Sequence, residues 1–411
     1  MNFVTIATLL KSYLYLQAVT YFMLSPFIIN DTPLSLDRFP LAQVNRSLQA
    51  WDAADEYLIN YVTEQTLVQK NTNVLIFNDT FGAVTTNFAN DETYQGNVYC
   101  VNDSFLSTEG IKHNLTQNNL STNRIKQLTS LAPLPTSVDV ILYKIPKSKA
   151  LLTEQLIQIK NTFSQQITFI ASDKAKDIHS STLKLFEKYL GTTTTSLAVK
   201  KARLVFCKLD THEQHTSPFP TVWDLEPTYP LNNTFTLSNH ANVYARDKLD
   251  LGARYFIQSL PYVPENSQVI DLGCGNGVIG LNILAAQPLA NILFVDESYM
   301  AIASAKENIN KNLPDHISQC QFKVNDCLTN IESQSVDLIL CNPPFHQQNA
   351  TTDHIAWQMF KDSYRVLKKG GELRIIGNRQ LAYHVKLKRI FGNSKLIATN
   401  NKFVTLSAKK L

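Results

Sequence analysis

Between Ser267 and Leu411, short apolar runs alternate with amphipathic ones. "SQVIDLG" reads as a strand, "GVIGLNILAAQ" as a helix, "NILFVDES" as a strand and "MAIASAKENINKNL" as a helix. "CQFKVND", "VDLILCN", the amphipathic "HIAWQMFKDSYRVLKKGG", "ELRIIGN", the helical "LAYHVKLKRIFG" and "KFVTLSAKK" continue the series. Strands this short and this apolar are buried on both faces. Their alternation with helices predicts a parallel, doubly wound α/β sheet.

The upstream half repeats the pattern in weaker form. "NVLIFNDTFGAV" lies 195 residues before "SQVIDLGCGNGV" when Gly82 is laid on Gly277. "VDVILYKIPK" lies 198 residues before "VDLILCNPPF", and "LFEKYLG" lies 201 before "KLKRIFG". Matches in one order with a slowly growing offset predict an internal duplication. Pro218, Pro220, Pro227 and Pro230 crowd the stretch between the halves and predict an extended connector. The expected organisation is a leader (1–35), a first α/β unit (36–215), a linker (216–235) and a second α/β unit (236–411). The leader contains the apolar but half-polar "SYLYLQAVTYFMLSPFII" after Lys11, with no clear cleavage site. It is read as loosely packed or as preceding the true start.

Two places in the second unit carry chemistry. "DLGCGNGVIG" sets Gly273, Gly275 and Gly277 between a strand and a helix. Glycine there permits positive φ and close approach of a ligand to the backbone. The spacing differs from the dinucleotide G-x-G-x-x-G, and no P-loop lysine follows. A ligand without phosphate is therefore expected, with Asp271 placed to hold a cationic amino group. Asp296 ends the next strand, where a carboxylate accepts from ribose hydroxyls. Glu297 is its competitor for that role. Asn325 and Asp326 end the third strand, within reach of an exocyclic adenine amine.

The second place is "DLILCNPPFHQQ". Two prolines stop a strand because neither can donate to the ladder. They leave Asn342 at the strand's end, followed by Pro343, Pro344 and Phe345. An exocyclic amine conjugated to a heteroaromatic ring is a poor nucleophile. Asn342 Oδ1 and the Pro343 carbonyl can accept its protons and aim its lone pair at a methyl donor. Phe345 can stack on the base. In the first unit Asn78 and Thr80 replace Gly273 and Gly275, while Lys144 and Lys147 replace Asn342 and Phe345. That unit is expected to be catalytically silent.

Charge adds a substrate class. The net charge is +4, but Lys361–Leu411 holds thirteen Lys/Arg against Asp362 and Glu372, about +11. Lys144, Lys147, Lys174, Lys176, Lys200, Lys201 and Arg203 add cations in the first unit. A polyanion partner is expected, met at Lys144, Lys147, Lys200, Lys201 and Arg203 of the silent copy. The six cysteines have neither zinc-ligand nor disulfide spacing, so no metal is expected and a reducing, cytoplasmic setting is.

Taken together, "DLGCGNGVIGL", "FVDES", Asn325-Asp326 and "NPPFHQQ" resemble class I S-adenosyl-L-methionine-dependent methyltransferases of the amino-nitrogen type. The tandem order with a degenerate first copy resembles the RlmG/RsmC-type rRNA guanine-N2 methyltransferases. "KAKDIHSSTLKLFEK", "HANVYARDKLDLGAR" and "IFGNSKLIATNNKFV" bring it nearest to the large-subunit branch. The resemblance implies two Rossmann-like domains, S-adenosyl-L-methionine as methyl donor and N2 of a guanine in 23S rRNA as acceptor. It implies no membrane partner and no particular oligomer. It also implies that His240–Arg254 closes over the methionine part of the donor, with Tyr244, Arg246 and Asp250 as candidates. The same motif serves 16S rRNA guanines and protein glutamines, and a non-catalytic RNA-binding role is a further alternative.

Overall fold

A computed structural model describes residues 27–29, 32–41, 48–163, 166–210, 214–227, 234–344 and 350–411. Most of the expected leader, all of Phe345 and part of the expected linker lie outside the described residues.

The first half forms β3 (Val74–Phe77), β4 (Val98–Asn102), β5 (Ile125–Thr129), β6 (Val140–Lys144), β7 (Thr168–Lys174), β8 (Gly191–Thr195) and β9 (Ala202–Leu209). The second half forms β12 (Gln268–Leu272), β13 (Asn291–Asp296), β14 (Cys320–Val324), β15 (Val336–Cys341), β16 (Leu367–Asn378), β17 (Lys395–Thr399) and β18 (Phe403–Lys409). The sheet orders are β5-β4-β3-β6-β7-β9-β8 and β14-β13-β12-β15-β16-β18-β17. Counted from each sheet's own first strand, both read 3-2-1-4-5-7-6. Only the seventh strand runs against the rest. The duplication is therefore present strand for strand.

Apolar runs make these strands for the expected reason. In β3 all four residues are buried. Alternate residues serve opposite layers: Val269, Phe294 and Leu340 pack on one face of the second sheet, while Ile270, Val295 and Ile339 pack on the other. Helices Val278–Ala286 and Tyr299–Asn312 cover the first of these layers, and Ala350–Val366 and Tyr383–Phe391 the second.

Two boundaries differ from expectation. Phe27–Ile29 (β1) pairs with Thr32–Leu34 (β2), and Phe27 packs on Trp51 with ring centroids 5.0 Å apart. The end of the expected leader is thus part of the first core, because its large apolar side chains need burial. The expected linker carries β10 (Thr221–Leu225), which pairs antiparallel with β11 (Phe235–Asn239). Leu225, Phe235 and Leu237 are buried in the second core, so the described part of the expected linker is tied to that core.

The two copies meet through equivalent loops. Asn102-Asp103-Ser104-Phe105 follows β4 as Asp296-Glu297-Ser298-Tyr299 ends and follows β13. Ser104 and Ser298 form an antiparallel bridge. Phe105 N–H donates to Glu297 O (2.8 Å), and Tyr299 N–H donates to Asp103 O (3.0 Å). These bonds exchange under a local twofold between the copies.

Candidate active site

A cavity of about 540 Å³ opens at the C-terminal ends of β12, β13, β14 and β15. This is where strand order reverses, the usual ligand crevice of a doubly wound sheet. Gly273, Gly275, Asp296, Asn325, Asp326, Asn342, Pro343 and Pro344 line it. Residues the sequence separates by up to 71 positions are thus brought to one wall.

The glycine turn is built by β13. Gly273 and Cys274 N–H both donate to Val295 O, at 2.8 and 3.0 Å. Gly275 N–H donates to Asp296 Oδ2 (2.9 Å). Gly275 has φ +54, and a Cβ there would meet nothing within 4 Å, so its face is open space. Gly277 (φ +77) caps the helix Val278–Ala286 and differs: a Cβ would lie 2.9 Å from Ala305 Cβ. One glycine leaves room for a ligand and the other serves packing.

Asp296 accepts from Gly275 N–H with one oxygen and from Ser298 N–H (3.0 Å) with the other. Its carboxyl is raised from the ordinary value, chiefly because burial disfavours the charge. Glu297 instead accepts from Ser104 Oγ of the first copy at 2.6 Å. Asp326 accepts from Gln358 Nε2 (2.9 Å) and is also raised by burial. Asn325 spends its amide N–H groups on Cys327 O and Thr329 O, which leaves Oδ1 for other use.

Asn342 stands directly beyond β15. Its Oδ1 is buried and has no hydrogen-bond partner among the described residues. An orphaned acceptor in a cavity wall is unusual, since buried polar atoms are nearly always paired.

Three expectations are corrected. Asp271 does not line the cavity. Its carboxyl is buried beneath the helix, accepts from Gly280 N–H (2.8 Å), and is pushed up to about 7 by burial and by Asp296. It braces the helix start. Arg246 does not face the cavity either. Its guanidinium lies over the Phe219 ring (5.1 Å), donates to Ala241 O (3.0 Å) and pairs with Asp247 (2.8 Å). Tyr244 and Asp250 do line the cavity and bond at 3.2 Å.

Lys144 is the third correction. It is not offered to a polyanion but pairs with Asp55 (2.6 Å) and Asp52 (3.4 Å) at the start of the helix Ala53–Glu64. Those carboxylates, first Asp55 and then Asp52, hold its ammonium charged despite burial. Lys147, Lys200 and Lys201 are exposed, with Lys200 paired to Glu56 (3.0 Å). Arg203 is partly buried and its Nε is unpartnered.

The cavity wall also holds residues that the sequence reading passed over: Asn242, Ile279, Met359 and, from the first copy, Leu106. The repeat carries a signal for the last. Its "NDSF" aligns with "DESY", which marks the first copy's loop as the partner of the Asp296 loop.

Residues 25–211 match the RLMG N-terminal domain, and residues 234–407 match the Methyltransferase small domain. The Ribosomal RNA large subunit methyltransferase G of Colwellia psychrerythraea is 65% identical over 391 residues, covering 94% of this chain and 100% of that relative. The chain belongs to the ribosomal RNA large subunit methyltransferase G family. The family's member from Pseudoalteromonas translucida is 50% identical over 385 residues, covering 93% and 97%. The solved T. Thermophilus 16S rRNA N2 methyltransferase RsmC, in complex with AdoMet and guanosine, superposes with a TM-score of 0.71 at 16% identity. It covers 95% of this chain and 99% of that one, and at this identity the likeness speaks for the tandem fold alone. Among the described residues no cluster of side chains suits a metal ion, and no helix is long and apolar enough to cross a membrane.

Proposed function

We propose that this chain transfers a methyl group from S-adenosyl-L-methionine to the exocyclic N2 of a guanine in 23S rRNA, in the cytoplasm. The observation that carries the reading is Asn342, which lines a nucleoside-sized cavity and whose Oδ1 has no hydrogen-bond partner among the described residues. The residues present suit the donor. Gly275 offers open backbone, Asp296 a carboxylate for ribose hydroxyls, and Asn325 Oδ1 with Asp326 acceptors for an adenine amine. Tyr244 and Asp250 stand where the methionine part would lie.

When bound, the donor supplies an electrophilic methyl on a sulfonium, whose S–C bond breaks as the N–C bond forms, the electron pair staying on sulfur. Asn342 Oδ1 accepts one N2–H of guanine, and the Pro343 carbonyl is assigned to accept the other. That holds the nitrogen lone pair toward the methyl and draws it out of the ring. Pro343 and Pro344 keep the geometry stiff, so positioning supplies most of the acceleration. No titrating base is required, because the methylated nitrogen sheds its extra proton to water. Phe345 is assigned the stacking role by its place in Asn-Pro-Pro-Phe. Lys147, Lys200 and Lys201 of the silent copy, with Trp357 flanked by Lys361 and Arg389 beside the cavity helix, form the polyanion face.

Mass mapping of methylguanosines tests this. 23S rRNA from cells with and without the protein should differ at one N2-methylguanosine, and purified protein should restore it. Methyl transfer confined to 16S rRNA, or to a protein glutamine, would overturn the assignment.

A further inference from the structure

We propose that the silent first copy is part of the donor site: Asp103 positions the ribose-side wall, and Leu106 forms part of that wall. The inference rests on the donor assignment above and adds residues from the other domain to it.

The contact between copies is nearly symmetric, since Ser298 Oγ donates to Asp103 as Ser104 Oγ donates to Glu297, both at 2.6 Å, but Asp103 collects further partners. The Asp103 carboxylate is buried and accepts from four donors: Ser130 Oγ (2.5 Å), Ser298 Oγ (2.6 Å), Asn242 Nδ2 (2.8 Å) and Met300 N–H (2.9 Å). Three of these donors belong to the second copy. Ser298 and Asn242 both line the donor cavity. Ser298 N–H in turn donates to Asp296 Oδ1 (3.0 Å), while Ser298 Oγ also caps the helix Tyr299–Asn312 through Ala301 N–H (3.1 Å).

The line from Asp103 through Ser298 to Asp296 therefore fixes one edge of the carboxylate assigned to ribose. Charge-assisted hydrogen bonds are the strong kind, and four on one buried carboxylate leave its loop little freedom. Leu106, the second residue of the first copy's helix Phe105–Gln117, closes the cavity next to Glu297 and Ser298. Its side chain offers apolar contact to whatever lies against Asp296. Asp103 is a positioning residue, and Leu106 a contact residue.

The test uses the full chain and two variants, Leu106→Ala and Asp103→Asn, with calorimetric titration of S-adenosyl-L-methionine and of S-adenosyl-L-homocysteine. Leu106→Ala removes one apolar contact and should weaken both ligands about tenfold, the scale of one buried side chain's contact. Asp103→Asn weakens an acceptor for four donors and should weaken both ligands by at least as much, roughly tenfold or more. Affinity for 23S rRNA should hold in both, a split that general unfolding would not produce. If Asp103→Asn fails to fold, Leu106→Ala decides alone. Unchanged donor affinity in Leu106→Ala, or parallel loss of RNA and donor affinity, overturns the inference. If the unsubstituted chain itself binds neither ligand, the donor assignment has failed instead.

Discussion

Removing the side chain of Asn342 should abolish methyl transfer and leave the free protein no less stable. Most buried-site substitutions destabilise by about 0.5–3 kcal/mol, so this is a distinctive outcome. The reason is the unpartnered Oδ1. A buried acceptor without a donor carries a desolvation penalty of about 1–3 kcal/mol. Asn342→Ala removes that penalty and also removes the packing of a small amide, worth about 1 kcal/mol. The net is a change between zero and roughly 2 kcal/mol in favour of the variant, or up to a few degrees in Tm. Catalysis should move the other way. A lost acceptor that orients the amine lowers kcat by about 10²-fold or more. Differential scanning calorimetry on the free protein, donor titration and single-turnover methylation of unmodified 23S rRNA read the three quantities. Donor affinity should change little, since Asn342 is assigned to the amine. A melting point several degrees lower, or transfer within a factor of ten of the unsubstituted chain, would refute the reasoning.

Asp296→Asn should weaken donor binding by about 1.5–3 kcal/mol, the range for hydrogen bonds to a charged group, with RNA affinity held; loss of RNA affinity alone would reassign the residue. Lys144→Met should leave the salt dependence of RNA binding unchanged, whereas Lys147→Ala and Lys201→Ala should each flatten the slope by about 0.7–0.9 if they meet phosphates. Lys144→Met should also destabilise by about 3 kcal/mol at neutral pH, because it strands Asp55. That deficit should shrink in acid: Asp79 is already raised to about 6 by burial first and Asp55 second, and without Lys144 the folded state favours the protonated carboxyls still more. A deficit that does not depend on pH counts against the ion pair. Asp271 sits at about 7 in the fold, above its ordinary value, so its contribution to stability is full in acid and is lost as pH rises through 7. Asp271→Asn lacks this loss, and its Tm relative to the unsubstituted chain should climb between about pH 5 and pH 8; a flat difference would show that Asp271 does not titrate there.

Much of this architecture is legible in sequence, and the reason is periodic. Parallel strands buried on both faces write themselves as continuous apolar runs, and β12, β13 and β15 do so. The duplication is legible because both copies keep that text. Cavity residues at strand ends, such as Asp296 and Asn342, are legible because strand ends in a doubly wound sheet must meet the crevice. Orientation is not legible. Asp271 and Asp296 both flank the glycine turn, yet one turns under the helix and the other into the cavity. Lys144 reads as a surface cation until Asp52 and Asp55, some 90 residues earlier, are brought against it by folding. The paired β10 within a proline-rich run is hidden for the same reason, since its partner β11 and its core lie beyond the prolines.

The way the first copy differs from the second shows what an unused nucleoside site does. Emptying such a site would leave buried polar groups and a void, both destabilising. The first copy fills it instead. Asn78 stands at the Gly273 position and keeps its left-handed backbone, φ +61 against +69, a conformation asparagine tolerates. Its amide then donates to Lys144 O and Gln155 Oε1, both at 2.9 Å. Ile76 replaces Asp271, and the loop residue Asp79 takes over the brace by accepting from Thr85 N–H (2.8 Å), the residue aligned with Gly280. Lys144 replaces Asn342 and is neutralised by Asp55. Gly82 is retained, matching Gly277, and it is the glycine that starts a helix, with Ile111 3.2 Å from where a Cβ would be. Gly275, the glycine whose face is open in the active copy, is replaced by Thr80. At the Gly273 and Asn342 positions, cavity-lining residues give way to side chains with internal partners. The loop Asn102–Phe105, which faces the other copy, keeps the form of its counterpart. The first copy has given up its own site and kept the surface that supports its partner's.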